Sequence, residues 1–359
     1  MLSYIIRRIL LLFPTLIGIT MLVFFVMALS PGSVTDSLQE TEANMRPEER
    51  QRVEAYLQKR YGLGDPLIVQ YGRWLNRMSP VGFKETDEGF PAGFGVGFKV
   101  PDLGESFIRR RPVLDVILEA LPITLLLNLI TIPIVYIIAI TSGIWAARKR
   151  GQAFDVASGV TLLALYSMPE IWIGVLLLGV FASRDYFQFF PTSGTHDVLA
   201  SQMAFLPSFI DGAFQRGWLL DMMWHLALPV LVLTYGSFAF LSKLMRASIL
   251  ENLTADYART ARAKGLAENV VLFRHVLSNS VLPLITVAAS ILPGLLGGAV
   301  IVESIFGLNG MGGLMLEAIK RKDQELILSQ TFVVGLIGLA SLIIADICYA
   351  IADPRVSYE

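Results

Sequence analysis

The stretch Asp256-Tyr257-Ala258-Arg259-Thr260-Ala261-Arg262-Ala263-Lys264-Gly265-Leu266 lies between two apolar runs, 225–246 and 281–302, and its reading decides the fold. It is too polar to cross a bilayer and too regular in its small and cationic residues to be a bare connector. Flanked by runs of spanning length, it describes a chain that leaves the membrane, forms a short helix and returns. Ala255 to Lys264 is rich in good helix formers and would extend about 15 Å. Thr254 is the candidate N-cap and Gly265 the candidate C′ terminator. A helix this short is marginal alone in water, so it needs packing to persist. Alanines 255, 258, 261 and 263 permit close approach of another surface. Arg259, Arg262 and Lys264 suit either an acidic partner or an ordinary positive-inside loop, and the residues alone leave both readings open.

Composition places the rest of the chain around that loop. Of 359 residues, 54% are hydrophobic and 16% charged, against about 25% charged in soluble domains. Mean hydropathy is +0.60. The formal net charge of −1 supplies no basic field for nucleic acid. The single cysteine, Cys348, cannot form an intrachain disulfide. Apolar runs at 9–29, 121–147, 156–181, 225–246, 281–302 and 327–350 reach spanning length. Each is expected as a helix, because backbone groups in lipid must be satisfied within their own segment. The fold class is therefore all-α, a polytopic membrane protein with six transmembrane helices. Pro14, Pro133, Pro169, Pro229 and Pro293 lie inside these runs and are expected to kink rather than break them.

The first run is too long for a signal-peptide core and reads as a retained span. Lys and Arg concentrate at Arg7-Arg8, Arg148-Lys149-Arg150, the 243–274 region and Arg355, which predicts both termini in the cytosol. Arg109-Arg110-Arg111 and Lys320-Arg321-Lys322 argue the other way. The expected organisation is a first transmembrane helix at 1–30, an external insert at 31–119, and a five-helix core at 120–359 with a cytosolic loop at 247–280. Within the insert, Pro47 to Tyr61 reads as a surface helix ended by Gly62 and Gly64. The run Gly93-Phe94-Gly95-Val96-Gly97-Phe98 reads as a loop packed on the domain, or as a contact surface.

Tyr257 to Gly265, followed by Arg274-His275-Val276-Leu277 and Asn279-Ser280-Val281-Leu282-Pro283, resembles the peptide-permease form of the "EAA" loop of binding-protein-dependent ABC importers. Arg259, Thr260 and Ala261 match the first motif positions and Gly265 its glycine; the initial Glu is absent and Leu-Pro lies further on, as in the peptide and nickel branch. Tyr4-Ile5-Ile6-Arg7-Arg8, Asp102-Leu103-Gly104-Glu105-Ser106, Arg111-Pro112-Val113 and Leu121-Pro122-Ile123-Thr124-Leu125 resemble family signatures in the same order. So do Ser167-Met168-Pro169 with Trp172, Glu303-Ser304-Ile305-Phe306, Gly310-Met311-Gly312 and Asp353-Pro354-Arg355. The long Phe-Gly insert before Asp102 is less typical.

The resemblance implies the type I ABC importer permease fold, in the first permease of a dipeptide or oligopeptide importer of a bacterial or archaeal inner membrane. It implies a second homologous permease, two ABC ATPase subunits and an extracytoplasmic solute-binding protein as partners within the lipid bilayer. Tyr257, Arg259, Thr260, Ala261, Arg262, Lys264 and Gly265 would couple to an ATPase. ATP and Mg would be held by the ATPase subunits, with no cofactor expected on this chain; it has no G-x-x-x-x-G-K-[ST] loop and so is not expected to hydrolyse ATP, and no nucleophile-base constellation stands out, so it is not expected to be an enzyme by itself. Glu170, beside Pro169, is the intramembrane charge and a pathway candidate, with a structural carboxylate bonded to a hydroxyl such as Ser167 as the alternative. His196, His225 and His275 are scattered, so no metal site is expected; His225 beside Trp224 reads as an interfacial anchor and His275 as part of a docking face. A self-contained secondary transporter or channel is the alternative function.

Overall fold

The structure is a computed structural model that describes residues 2–29, 62, 65–85, 91–106, 108–210, 213–291 and 298–352. The expected surface helix at Pro47–Tyr61 lies outside the described residues. Helices dominate: α1 (Leu2–Leu29), α2 (Leu67–Met78), α3 (Val113–Arg148), α4 (Ala153–Ser167), α5 (Glu170–Leu177), α6 (Gly217–Thr254) and α7 (Asp256–Ala263). They are followed by α8 (Glu268–Val270), α9 (Leu277–Ser280), α10 (Leu282–Ile291), α11 (Val300–Ile305), α12 (Met311–Lys320) and α13 (Gln324–Ala352). Among the described residues, five helical stretches are long and apolar enough to cross a membrane, or six if the bent pair α4–α5 is one span.

Two compact units emerge from the packing. One comprises 1–119 and 314–339. Its core joins α1, α2 and α13 through Phe24, Tyr71, Trp74, Met78, Leu328 and Phe332. The buried Tyr71 hydroxyl donates to the Ile17 carbonyl at 3.0 Å and shares a 3.0 Å hydrogen bond with Thr20. The Phe-Gly run forms a strand: β2 (Pro91–Phe98) pairs antiparallel with β1 (Val81–Glu85), which corrects the expected loop. Alternating glycine and bulky residues satisfies the two-residue strand period as well as it satisfies a loop. The two basic clusters that complicate the charge reading converge here: Arg109 and Arg321 both pair with Glu317, at 2.5 and 3.2 Å.

The second unit comprises 120–313 and 340–359. One of its cores gathers Val135, Ala139 and Ala147 of α3, Leu241, Met245 and Ile249 of α6, and Val271, Leu272 and Val276. The other gathers Leu127, Leu226, Val232, Tyr235, Val302 and Phe306. Pro122 and Pro133 sit inside α3 and Pro229 inside α6 without breaking them. At Pro169 the expectation of a kink is corrected to a break, with α4 and the α5 segment bent by 92°. Met168 and Pro169 are extended, and the Tyr235 hydroxyl donates to the Met168 carbonyl at 2.7 Å, so a tertiary contact satisfies the carbonyl at the break. Pro293 lies outside the described residues. The fifth span also moves: it runs over Glu268–Ala288 rather than 281–302, through a π-helical turn at Val271–Val276. Val271, Leu272 and Val276 are buried while Phe273 and Arg274 face outward, so this polar-looking stretch is one amphipathic helix.

Candidate functional site

The loop that opened the sequence reading is the joint between α6 and the fifth span. The chain turns at Ala255, extended at φ −67° and ψ 153°, and re-enters a helix at Asp256. The expected Thr254 cap is corrected: Ala255 holds the N-cap position, without a side-chain cap, while the Thr254 hydroxyl donates back to the Glu251 carbonyl at 2.8 Å. Asp256 supplies negative charge to the first turn, where the helix dipole favours it.

Helical spacing sorts α7 into two faces. Ala258 and Ala261, three residues apart, are buried at 0% and 7% exposure in the core shared with Ile249 and Val271. Their small size therefore serves close approach within the chain itself. Tyr257, Arg259, Thr260, Ala263, Lys264 and Gly265 are exposed. The Arg259 side chain is 70% exposed, with a 3.6 Å contact to the still more open Asp256 that water screens. Tyr257 donates to Asn252 Oδ1 at 2.5 Å, which orients its ring on the end of α6.

Arg262 belongs to neither face. Its Nε and Nη2 donate to the two Glu268 oxygens at 3.0 and 2.7 Å, and Nη1 donates to the Leu253 carbonyl at 2.9 Å. It thus ties the end of α6 to the start of α8 across α7. The helix ends as expected at Gly265, with φ +78°. Gly265 N donates to Arg262 O at 2.9 Å and Leu266 N to Ala261 O at 3.4 Å, the paired bonds of a Schellman cap. Short helix, glycine stop and arginine clasp give a protrusion with a fixed outline and an open Tyr-Arg-Thr-Lys surface.

Glu170 stands at the start of α5, immediately beyond the bend, and is exposed among Met168, Ile171 and Trp172, which are 46%, 48% and 74% exposed. Ser167 is not its partner, since that hydroxyl donates to the Leu163 carbonyl at 2.8 Å. In contrast to Glu170, Glu303 on α11 is buried, at 1% exposure. It accepts from Thr124 Oγ1 at 3.0 Å, Ala299 N at 3.1 Å and Gly313 N at 2.7 Å, and so closes the 299–313 loop on itself and on α3.

Two site residues escape sequence reasoning in different ways. Asp155 and Arg246 form a two-pronged ion pair between α4 and α6, at 2.5 Å (Nε to Oδ1) and 2.7 Å (Nη2 to Oδ2). Each sits at the edge of an apolar run, where a charge reads as a headgroup contact. His196 and His225 both lie near Asp221, while His275 is on the fifth span, and among the described residues no cluster of His, Cys, Asp and Glu could hold a metal. The His225 side chain is 7% exposed, with Nδ1 2.9 Å from the Asp221 carbonyl oxygen. His275 is half-buried in the π-turn.

Residues 139–358 match the family described as "Binding-protein-dependent transport system inner membrane component", and residues 1–128 match the corresponding N-terminal family. Over the full length of both chains, the protein is 33% identical to the oligopeptide transport system permease protein AppB of Bacillus subtilis. It is 31% identical to the dipeptide transport system permease protein DppB of Alkalihalophilus pseudofirmus, again over 100% of each. Over 99% of each chain it is 31% identical to the inner membrane ABC transporter permease protein YejB of Escherichia coli O157:H7. With the membrane-spanning helices already in place, these matches settle the assignment: the chain belongs to the family of inner-membrane permease components of binding-protein-dependent transport systems.

Proposed function

We propose that this permease imports peptides and that α7 is the helix through which a cytosolic ABC ATPase drives it. The observation that carries the proposal is the division of α7, whose alanine face is locked into its own chain while Tyr257, Arg259, Thr260 and Lys264 remain open. A helix that only capped a loop would need no such outward face. A rigid stop at Gly265 and the Arg262 clasp suit the transmission of force, because a fraying helix would absorb it. In this reading Arg259 and Tyr257 meet the ATPase, whereas Ala261, Arg262 and Gly265 hold the helix that presents them.

The peptide cargo rests on the likeness to the oligopeptide and dipeptide permeases. The orientation follows from α7 facing the ATPase: both termini are cytosolic and the 31–119 region is external. ATP and Mg belong to two ATPase subunits, a second permease completes the pathway, and an extracytoplasmic binding protein delivers the cargo. Glu170 borders that pathway, because a carboxylate left facing lipid on an apolar surface costs about 2.5–3.5 kcal/mol on insertion scales.

The test is affinity purification of the tagged chain from its native membrane, followed by reconstitution. Co-purification of a P-loop ATPase and a second permease, with ATP-dependent uptake of labelled peptide, is the expected result. Peptide uptake by this chain alone, driven by an ion gradient without an ATPase, would overturn the proposal.

A further inference from the structure

We propose that Asp155 and Arg246 form a strut that carries the displacement of α7 to the bend between α4 and α5; the inference rests on the reading that α7 receives an ATPase. Arg246 lies on α6, ten residues before Asp256 and so about 15 Å along the helix from the start of α7. Asp155 lies on the first turn of α4, twelve residues and about 18 Å before the break after Ser167. The pair is therefore a rigid crosslink from the helix that carries α7 to the helix that ends beside Glu170.

The packing of α4 makes this link unusual. Asp155 is the buried residue of α4, at 7% exposure, while the apolar Val156, Val160 and Leu163 are 60%, 63% and 54% exposed. A surface-lying apolar helix would ordinarily attach through a leucine or valine and leave its aspartate in water. Here the carboxylate is taken in and fully engaged: Oδ1 accepts from Nε, and Oδ2 accepts from Nη2 and, at 2.9 Å, from the Gly151 backbone amide. Gly151, at φ +75°, makes the turn that brings its N–H to this oxygen.

Stability alone does not account for this arrangement: the Arg246 side chain is 34% exposed, and an ion pair open to water on one side contributes little net stability. What an apolar contact lacks is direction. Two parallel N–H···O bonds fix the distance and the mutual rotation of the two helices, and only a guanidinium supplies them. A lysine keeps the charge and loses the fork. Farther along, α4 meets α6 through the stacked rings of Tyr166 and Phe240, 6.3 Å apart, a contact that permits sliding. The strut thus sets the near end of α4 in step with α6, and the bend converts that movement at its far end.

The decisive experiment uses the complete importer in liposomes and measures ATP hydrolysed and peptide transported, with their ratio as the readout. Arg246→Lys is expected to assemble with the ATPase and to hydrolyse ATP within about twofold of wild type, while peptide moved per ATP falls about tenfold or more. The exchange Asp155→Arg with Arg246→Asp is expected to recover at least a third of the lost ratio. Should Arg246→Lys fail to assemble, the apolar pair Asp155→Leu with Arg246→Met serves instead: it is expected to assemble and hydrolyse ATP with the same loss of ratio. A wild-type ratio in any assembled variant that lacks the fork, or transport that falls only in proportion to assembly, would overturn the strut. Failure of the α7 reading is separate, because the wild-type chain would then transport without an ATPase.

Discussion

Replacing Glu303 by Ala removes the acceptor of three hydrogen bonds from a site 1% exposed. Hydrogen bonds to a charged group contribute about 1.5–3 kcal/mol each, and a buried donor left unpaired costs about 1–3 kcal/mol. The three bonds share one carboxylate, so they do not add, and local loss of about 3–4 kcal/mol is the reasonable scale. The Thr124 hydroxyl would also lose the partner that orients it to accept from Met311 N at 2.8 Å. Glycines at 310 and 312 offer no compensation, because they leave no side chain to fill the space: a Cβ at Gly310 would come 2.6 Å from Glu303 Cδ in the native packing. At about 1.4 kcal/mol per factor of ten, amide exchange at Ala299 and Gly313 should accelerate by roughly 100-fold or more. Hydrogen–deuterium exchange of the purified chain in nanodiscs, read on fragments covering 298–313, checks this. Glu303→Gln retains one acceptor oxygen and should show an intermediate acceleration of about tenfold. Exchange in Glu303→Ala within threefold of wild type would refute the argument that this carboxylate holds the loop closed.

Other substitutions test other joints. Gly265→Ala places a Cβ in open space but in the left-handed region, so about 1–2 kcal/mol of strain falls on the cap alone. Faster exchange of the last turn of α7 without a change in overall thermal stability is the expected signature. At Gly143 the limitation is space: a Cβ would lie 2.7 Å from Met245 Cβ and 3.1 Å from the Ser242 carbonyl. Gly143→Val should destabilise by about 1–3 kcal/mol, read as a lower unfolding midpoint in detergent. His196 provides a pH test. Burial holds its imidazole below the usual histidine range, against the opposing attraction of Asp221, and its ring lies 4.5 Å from the Trp218 ring. With the folded pKa depressed, the unfolded segment takes up the proton first, so stability present above about pH 6.5 declines as pH falls through the folded pKa. Tryptophan fluorescence between pH 7.5 and 5 should report loosening around Trp218, and His196→Phe should flatten that profile.

Much of this architecture is legible from local pattern. Long apolar runs specify spanning helices whatever surrounds them, since lipid offers no other partner to the backbone. Gly265 was readable as a stop because a left-handed residue after a helix favours glycine regardless of context. What escaped depends on residues distant in sequence. Pro169 breaks its helix whereas Pro133 and Pro229 do not, and part of the difference is Tyr235, which takes the Met168 carbonyl from a helix more than sixty positions away. Arg262 and Arg259 look alike in a basic loop, and only the placement of Glu268 and the Leu253 carbonyl separates clasp from open face. Asp155 and Arg246 each resemble a charge at a membrane boundary until the helices cross. The fifth span was set too late because Arg274 and Asn279 dilute its apolar run, although Val271, Leu272 and Val276 carry the buried face.

Contact between the open face of α7 and an ATPase is accessible to site-specific photo-crosslinking. A photoreactive residue is placed in turn at Tyr257, Arg259 and Thr260, and separately at the buried Ala261, in an importer that still transports. Arg259 is expected to yield an adduct with an ATPase subunit that changes in yield when nucleotide is added, and Ala261 to yield only adducts within the chain. An importer active in transport in which positions 257, 259 and 260 all fail to reach an ATPase would contradict that expectation.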